Sequence, residues 1–285
     1  MNSPTVLVTG ATGTIGSSLI PALVERGVAV RAMTRTAGAP IAGADTVVAD
    51  LGDPEAVTAA LTGADAVFLN SPSAPDAAAL QIQFAELARK AGVNRLVLLS
   101  QYAARIDSPV RFLRWHAEVE AHVRTLDFDF TVLRPNLFMQ GLLSFAGTVA
   151  QQGRFGAPIG GAAVSLIDAS DIAAAAAAVL TRTGHTGGVY TLTGPRAITH
   201  EEIAEALATA TGRDIAFDDV PAERFAAALS PYLPPWQLDG LVEDYAHYAR
   251  GEAAEVHPDA ADLIGRPARD ITDFARDHAA AFGAA

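Results

Sequence analysis

The chain has 285 residues, half of them hydrophobic, and 32 acidic against 20 basic side chains give it a net charge of −12. That acidity, with no basic run, excludes the clustered Lys and Arg that duplex binding needs and disfavours an anionic membrane surface. The absence of cysteine excludes disulfides, thiolate catalysis and Cys-ligated zinc.

The opening "MNSPTVLVTG" has no basic n-region and no long apolar h-region, so it does not read as a signal peptide. The longest near-uniform apolar run, 172–180, is too short to span a bilayer and reads as a buried helix. A soluble, cytoplasmic protein is expected, monomeric or homodimeric, acting on small molecules with no nucleic acid or membrane partner.

Strand and helix alternate over the first 135 residues. "TVLVTG" (5–10) is a buried strand by length and β-branching, and "GSSLIPALVERG" (16–27) has helical spacing with a Gly stop. Further strands are predicted at 28–34, 46–53, 64–71, 93–100 and 129–135, with helices at 54–63, 76–92 and 111–126 between them. Such βα units imply a parallel sheet covered on both faces. The fold class expected is α/β, a Rossmann-type doubly wound sheet over residues 1–135. Beyond it lies a smaller α/β substrate lobe, 136–285, partly interleaved with the first unit.

After Pro135 the pattern loosens. Residues 151–168 read as a Gly-rich loop, 169–184 as a helix, 188–195 as a strand, 199–213 as a helix and 215–221 as a strand before another helix. Residues 229–236 read as a Pro-broken loop rich in aromatics.

"GATGTIG" puts Gly10, Gly13 and Gly16 between a strand and a helix. The first Gly serves the tight turn, the second the approach of a pyrophosphate, and the third close helix packing. The helix N-terminus then offers free N–H groups and a positive dipole end to phosphate. At the end of the second strand stands Arg35, where an NAD site would carry an acid; a basic residue there suits the 2′-phosphate of NADPH (NADP+). Asp50, with Leu51, reads equally as an adenine contact or as a turn residue before Pro54.

The segments "VLVTGATGTIG", "AVRAMTR", "VVADLGD", "GADAVFLNSP", "RLVLLSQYAA" and "TVLRPNLFMQ" occur in the order and spacing of a known family. With "SLIDASDIAAAAAAVL" and "YTLTGPRAITHEEIAEALATATGR" they resemble the NmrA-like atypical short-chain dehydrogenases, nearest the quinone reductase and triphenylmethane reductase branch. The resemblance implies a cofactor lying across Gly10, Thr12, Gly13, Thr14 and Ile15, with Arg35 on its 2′-phosphate. It places Asn70, Ser71 and Pro72 near the ribose. Ser100, Gln101 and Tyr102 would border the nicotinamide half, with Pro135, Asn136 and Phe138 beside the ring.

Ordinary short-chain dehydrogenases resemble one another in a Tyr-x-x-x-Lys pair, but the matching helix here reads "RFLRWHAEVEAH". Phe112 takes the Tyr position and cannot transfer a proton; His116 takes the Lys position. His116 can act as acid or base, can position cofactor or substrate, or can be structural, and Glu120 shares its helix face. Tyr102 is a second candidate proton donor, or an aromatic wall. Tyr102, Phe138, Met139, Tyr232 and Trp236 would form an apolar pocket for a flat, apolar or aromatic substrate. No His, Asp or Glu set has metal-ligand spacing.

The function expected is NADPH-dependent reduction of a quinone or other conjugated acceptor by hydride transfer. A non-enzymatic NADP(H) sensor of the NmrA type and a redox-neutral isomerase or cyclase stand as alternatives.

Overall fold

The computed structural model describes residues 4–284, so the first three residues of the N-terminal reading lie outside it. In chain order the first half comprises β1 (Thr5–Val8), α1 (Gly16–Val24), β2 (Ala29–Thr34), β3 (Ala44–Val48), α2 (Pro54–Leu61), β4 (Ala66–Leu69), α3 (Ala77–Lys90), β5 (Arg95–Leu99), α4 (Arg111–Val123) and β6 (Asp129–Pro135). The second half comprises a 3-10 segment (Met139–Phe145), α5 (Ala146–Gln152), β7 (Arg154–Ala157), α6 (Ala169–Thr181), β8 (Val189–Leu192), α7 (His200–Thr211) and β9 (Ala216–Asp219). It ends in α8 (Ala222–Leu229), α9 (Pro235–Ala249), α10 (Asp259–Ile264) and α11 (Ile271–Asp277).

Seven strands form one sheet in the order β3-β2-β1-β4-β5-β6-β8, with every pairing parallel. Because side chains alternate along a strand, each central strand feeds two cores. Val6 and Val8 of β1 and Phe68 of β4 pack with Leu19 and Leu23 of α1 and Ile172 and Val179 of α6. Leu7, Val67 and Leu69 point the other way, onto Val57 of α2, Phe84 of α3 and Val119 and Val123 of α4. The alanines of α6, 173 and 175–178, are almost fully buried; their small side chains let this helix pack close between α1 and the sheet.

The seventh strand corrects the simplest division of the chain. β8 pairs with β6, and α6 joins the core beneath β1, so residues beyond 136 complete the seven-stranded sheet and its helical layer. α10 joins that first core through Ala260 and Leu263, and the other C-terminal elements build a third core around Phe155, Leu207, Tyr245, Tyr248, Phe274 and Phe282.

Three boundaries also differ from the sequence expectation. The stretch 151–168 contains β7, which pairs in parallel with β9 through Phe155 and Phe217. Its four residues include Gly156 and are too few to show alternation, so tertiary pairing decides. β3 ends at Val48, and the following residues form a turn in which Asp53 caps α2. Pro235 and Trp236, read as loop, open α9, where Pro at the first helical position costs no hydrogen bond.

Candidate active site

The glycine loop is built by exclusion. Gly10 has φ +60°, and a Cβ there would stand 3.1 Å from the Asn70 side-chain nitrogen. A Cβ on Gly16 would stand 2.3 Å from the Gly10 carbonyl oxygen, so only glycine lets α1 start this close to the turn. A Cβ on Gly13 would meet only that same oxygen, at 3.2 Å, and otherwise faces open space. Thr9 fixes the loop's base: its hydroxyl donates to the Asn70 carbonyl at 2.7 Å and accepts from the Asn70 amide at 2.8 Å. This ties the end of β1 to the end of β4, at the point where the strand order reverses.

α1 begins at Ile15 with no side-chain cap. Among the described residues the amides of Thr12, Thr14 and Ile15 have no acceptor within the chain, which leaves them for an anion. The Ile15 side chain is core, so only its amide faces that role. Arg35 follows β2, is exposed, and has no ion pair or hydrogen bond among the described residues. Arg31, on the same strand, behaves differently: it donates to the carbonyls of Ala60 and Thr62, both at 2.7 Å, and caps α2. Asp50 accepts from the Gly52 amide at 2.8 Å, the turn role, while Leu51 packs on the core edge.

A cleft of about 420 Å³ opens along the carboxyl ends of β4, β5 and β6. Thr14, Asn70, Ser71 and Ser73 form its side toward the glycine loop. Ser100, Gln101 and Tyr102, then Pro135 to Phe138, form its floor, and His116 reaches it from α4. Pro72 lies beside it, in a smaller side pocket walled by Gln81, Phe112, Trp115 and His116. The chain turns sharply out of β5: Tyr102 donates its amide to the Pro135 carbonyl at 2.8 Å, and Ala103 is left-handed at φ +58°. A non-glycine residue in that region stores strain, a feature that gathers at functional sites.

Several expected roles change in the folded chain. Glu120 does not orient His116. It is 3% exposed and accepts from Ser100 at 2.6 Å and twice from Arg134, at 2.8 and 2.6 Å. Ser100 therefore commits its hydroxyl to Glu120. Asn136 borders the cleft, but its amide group donates to Ser165 and the Ala253 carbonyl and accepts from the Leu137 amide, a structural bracket. Met139 is buried in the C-terminal core. Tyr232 is 80% exposed and Trp236 packs on Phe112 and Trp115, so these three do not line the cleft. Tyr102 and Phe138 do.

Burial lowers the His116 imidazole to about 4, against a weaker opposing pull from Glu120. At neutral pH it is an uncharged ring that can give or take one hydrogen bond but holds no spare proton. Tyr102 has its phenol raised by burial and then by Glu255, which makes it a weaker acid than a free tyrosine.

The sequence reading missed the helix that closes the cleft. α9 presents Asp244, His247 and Tyr248 to it. Asp244 accepts from Gln101 at 3.3 Å, and His247 Nδ1 is held by Glu252 at 2.6 Å. The signal was a polar interruption in a helical stripe: Gly240, Asp244, Tyr245, His247 and Tyr248 are the buried positions of α9. Among the described residues no group of three or more potential ligands could hold a metal, and no helix is long and apolar enough to cross a membrane.

Comparison with known proteins finds relatives along nearly the whole chain. An NAD(P)H azoreductase of Xenophilus azovorans is 37% identical over 98% of this chain and 100% of its own length. A (4-alkanoyl-5-oxo-2,5-dihydrofuran-3-yl)methyl phosphate reductase of Streptomyces griseus is 36% identical over 97% of this chain and 99% of its own. The crystal structure of an NADPH-dependent quinone oxidoreductase from Escherichia coli, complexed with NADPH, superposes with a TM-score of 0.86 at 28% identity, covering 95% of this chain and 99% of that one. Residues 2–257 match the model of the NmrA-like family, and the chain belongs to it.

Proposed function

We propose that the chain is an NADPH-dependent reductase of quinones and related conjugated acceptors. One juxtaposition carries the reading: an uncapped glycine loop and an Arg35 with no partner among the described residues lead into a cleft floored by Tyr102 and Phe138. The residues fit the cofactor. Gly10 makes the tight turn and Gly13 leaves the space a pyrophosphate needs, the amides of Thr12, Thr14 and Ile15 would bind it, and Arg35 would take the 2′-phosphate. When bound, reduced nicotinamide supplies a hydride. Asn70, Ser71 and Gln101 offer polar groups at the cleft's cofactor side, and neutral His116 gives a hydrogen bond to a ribose hydroxyl or an acceptor oxygen. Tyr102, Leu137 and Phe138 offer apolar walls to a flat acceptor.

Phe112 does not undermine this chemistry. It packs edge-on against Trp115, with ring centres 5.3 Å apart, and its position has no proton to give. A conjugated acceptor tolerates that, because the anion left by hydride addition is delocalised. The relatives named for azo, quinone and dihydrofuranone substrates support an acceptor of this kind. The test is loss of the near-ultraviolet absorbance of NADPH, and separately NADH, with purified protein and a panel of quinones, enones and azo compounds. Enzyme-dependent oxidation that favours NADPH is expected. Intact cofactor binding with no oxidation across the panel would replace the reductase with a cofactor-binding regulator.

A further inference from the structure

α9 delivers an acid to the one place in the cleft where the reaction lacks one. We infer that Asp244 is the proton donor of the reduction, its carboxyl group giving a hydrogen to the acceptor oxygen or nitrogen that hydride transfer leaves negative. The inference rests on the reductase reading of this cleft.

Asp244 lines the cleft as a carboxyl group, a stronger acid than a phenol or a neutral imidazole, and the other candidates are weaker donors. Phe112 has no proton, neutral His116 has none to spare, and the Tyr102 phenol is held above its ordinary value. Asp244 is 8% exposed and borders the cleft together with Gln101, Tyr102 and Tyr248. Among the described residues its one side-chain partner is the amide of Gln101, at 3.3 Å, which is neutral. The basic groups on and against its helix are committed elsewhere, Arg111 to Glu243 at 2.7 Å, Arg114 to the Ser108 carbonyl at 2.7 Å and His247 to Glu252 at 2.6 Å. A carboxyl so buried, without a cation, keeps its proton near neutrality. Burial raises it to about 7, with Glu243 adding to the rise and Gln101 opposing it.

The titratable groups around Asp244 are few. Its own helix brings Glu243, Tyr245, His247 and Tyr248; the β5 exit brings Tyr102; α4 brings His116 and Arg111. None supplies a fixed positive charge to the cleft. The pocket therefore favours an uncharged acceptor with a carbonyl or azo group. A bound reduced nicotinamide would supply the hydride: its C–H bond breaks as a bond to the acceptor forms and the acceptor's π bond opens, so the cofactor is oxidised and the acceptor reduced by two electrons. The Asp244 O–H bond breaks as the second new bond, O–H or N–H, forms. The carboxylate then recovers its proton from water through the open cleft.

The test compares wild type with Asp244→Asn, which keeps the shape and the Gln101 contact, and with Asp244→Glu. Expected are a fall in kcat of about 100-fold for the Asn variant, unchanged NADPH affinity by fluorescence titration, and partial recovery in the Glu variant. Wild-type kcat should fall as pH rises through about 7, and the Asn variant should lose that limb. Independently of turnover, the infrared carbonyl band of a protonated carboxylic acid should be present in wild type below that pH and missing from the Asn variant. An Asn variant with wild-type kcat and pH profile overturns the assignment and leaves the reductase reading standing. A wild type that binds NADPH and reduces nothing overturns both.

Discussion

Gly13 and Gly16 do different work in the loop, and substitution separates them. At Gly16 an added Cβ meets backbone atoms at 2.3 and 2.8 Å, which only movement of α1 can relieve. Gly16→Ala should lose about 2 kcal/mol or more of stability, by the usual cost of overpacking, seen as a lower midpoint in urea. At Gly13 the methyl meets one oxygen at 3.2 Å and then points outward. Gly13→Ala should keep nearly all of that midpoint but bind NADPH at least tenfold more weakly, because the methyl occupies the pyrophosphate's approach. Arg35 makes a third case. It supports no other group among the described residues, so Arg35→Ala should leave stability unchanged. Loss of a charged hydrogen bond of about 1.5–3 kcal/mol should weaken NADPH about 10- to 100-fold, with NADH unaffected. A parallel titration with both cofactors checks it, and equal losses for the two would remove Arg35 from the 2′-phosphate. The positions of Gly13 and Gly16 were legible from their spacing between a strand and a helix, and that of Arg35 from its place after the second strand. Asp244 was not. Its importance comes from which cleft its helix closes, and the residues on the cleft's other walls lie over a hundred positions earlier.

At the scale of elements, the cleft depends on a buried tether joining α4, β5 and β6. Glu120 of α4 holds Ser100 at the end of β5 and Arg134 of β6, and Arg124 adds a weaker contact at 3.4 Å. Burial alone would raise the Glu120 carboxyl, but the hydrogen bonds and charge of Arg134, with Ser100 and Arg124, outweigh it and hold the group below 4.5. Its folded value is depressed, so the stabilisation is present above pH 4.5 and is lost as pH falls through the folded value. Glu120→Gln keeps the volume and removes the charge. It should cost about 2–3 kcal/mol at neutral pH, the scale of hydrogen bonds to a buried charged group, and the difference from wild type should vanish in strong acid. Denaturant titrations at several pH values measure it. The helix and both strands were predicted from periodicity, yet the partner of Glu120 was read as His116. Helix spacing puts residues four apart on one face, but it does not reveal that a neighbouring strand supplies an arginine to one of them. The same limit hid β7. Four residues with a glycine among them carry no period, and only the parallel partner β9 makes them a strand.

Over the whole molecule, buried titrating groups pull stability in opposite directions. His200 is completely buried in the C-terminal core, with Phe155, Phe217 and Tyr245 around its ring and no hydrogen-bond partner for either nitrogen among the described residues. Burial lowers it to about 4, with a small opposing contribution from Glu201. The unfolded chain binds that proton from pH 6.5 downward, so this group contributes stability above pH 6.5 that is lost as pH falls toward 4. Asp244 has the opposite sign. Its folded value is raised to about 7 from 3.8, so the folded state keeps a proton that the unfolded chain has released. Its contribution is fully present below 3.8 and is lost as pH rises to about 7. The two slopes cancel over most of the interval between, which should leave wild-type stability nearly flat from these two groups across weakly acidic pH. Asp244→Asn removes one slope. The variant should match wild type near pH 4, gain steadily as pH rises, and level off above pH 7. The plateau should be roughly 4 kcal/mol, at about 1.4 kcal/mol for each pH unit crossed. Thermal unfolding across this range checks it. A difference that does not change with pH would mean that Asp244 is ionised in the fold like any exposed carboxylate. A growing difference would locate, in one buried acid, a stability cost that the fold bears where its cleft needs a proton.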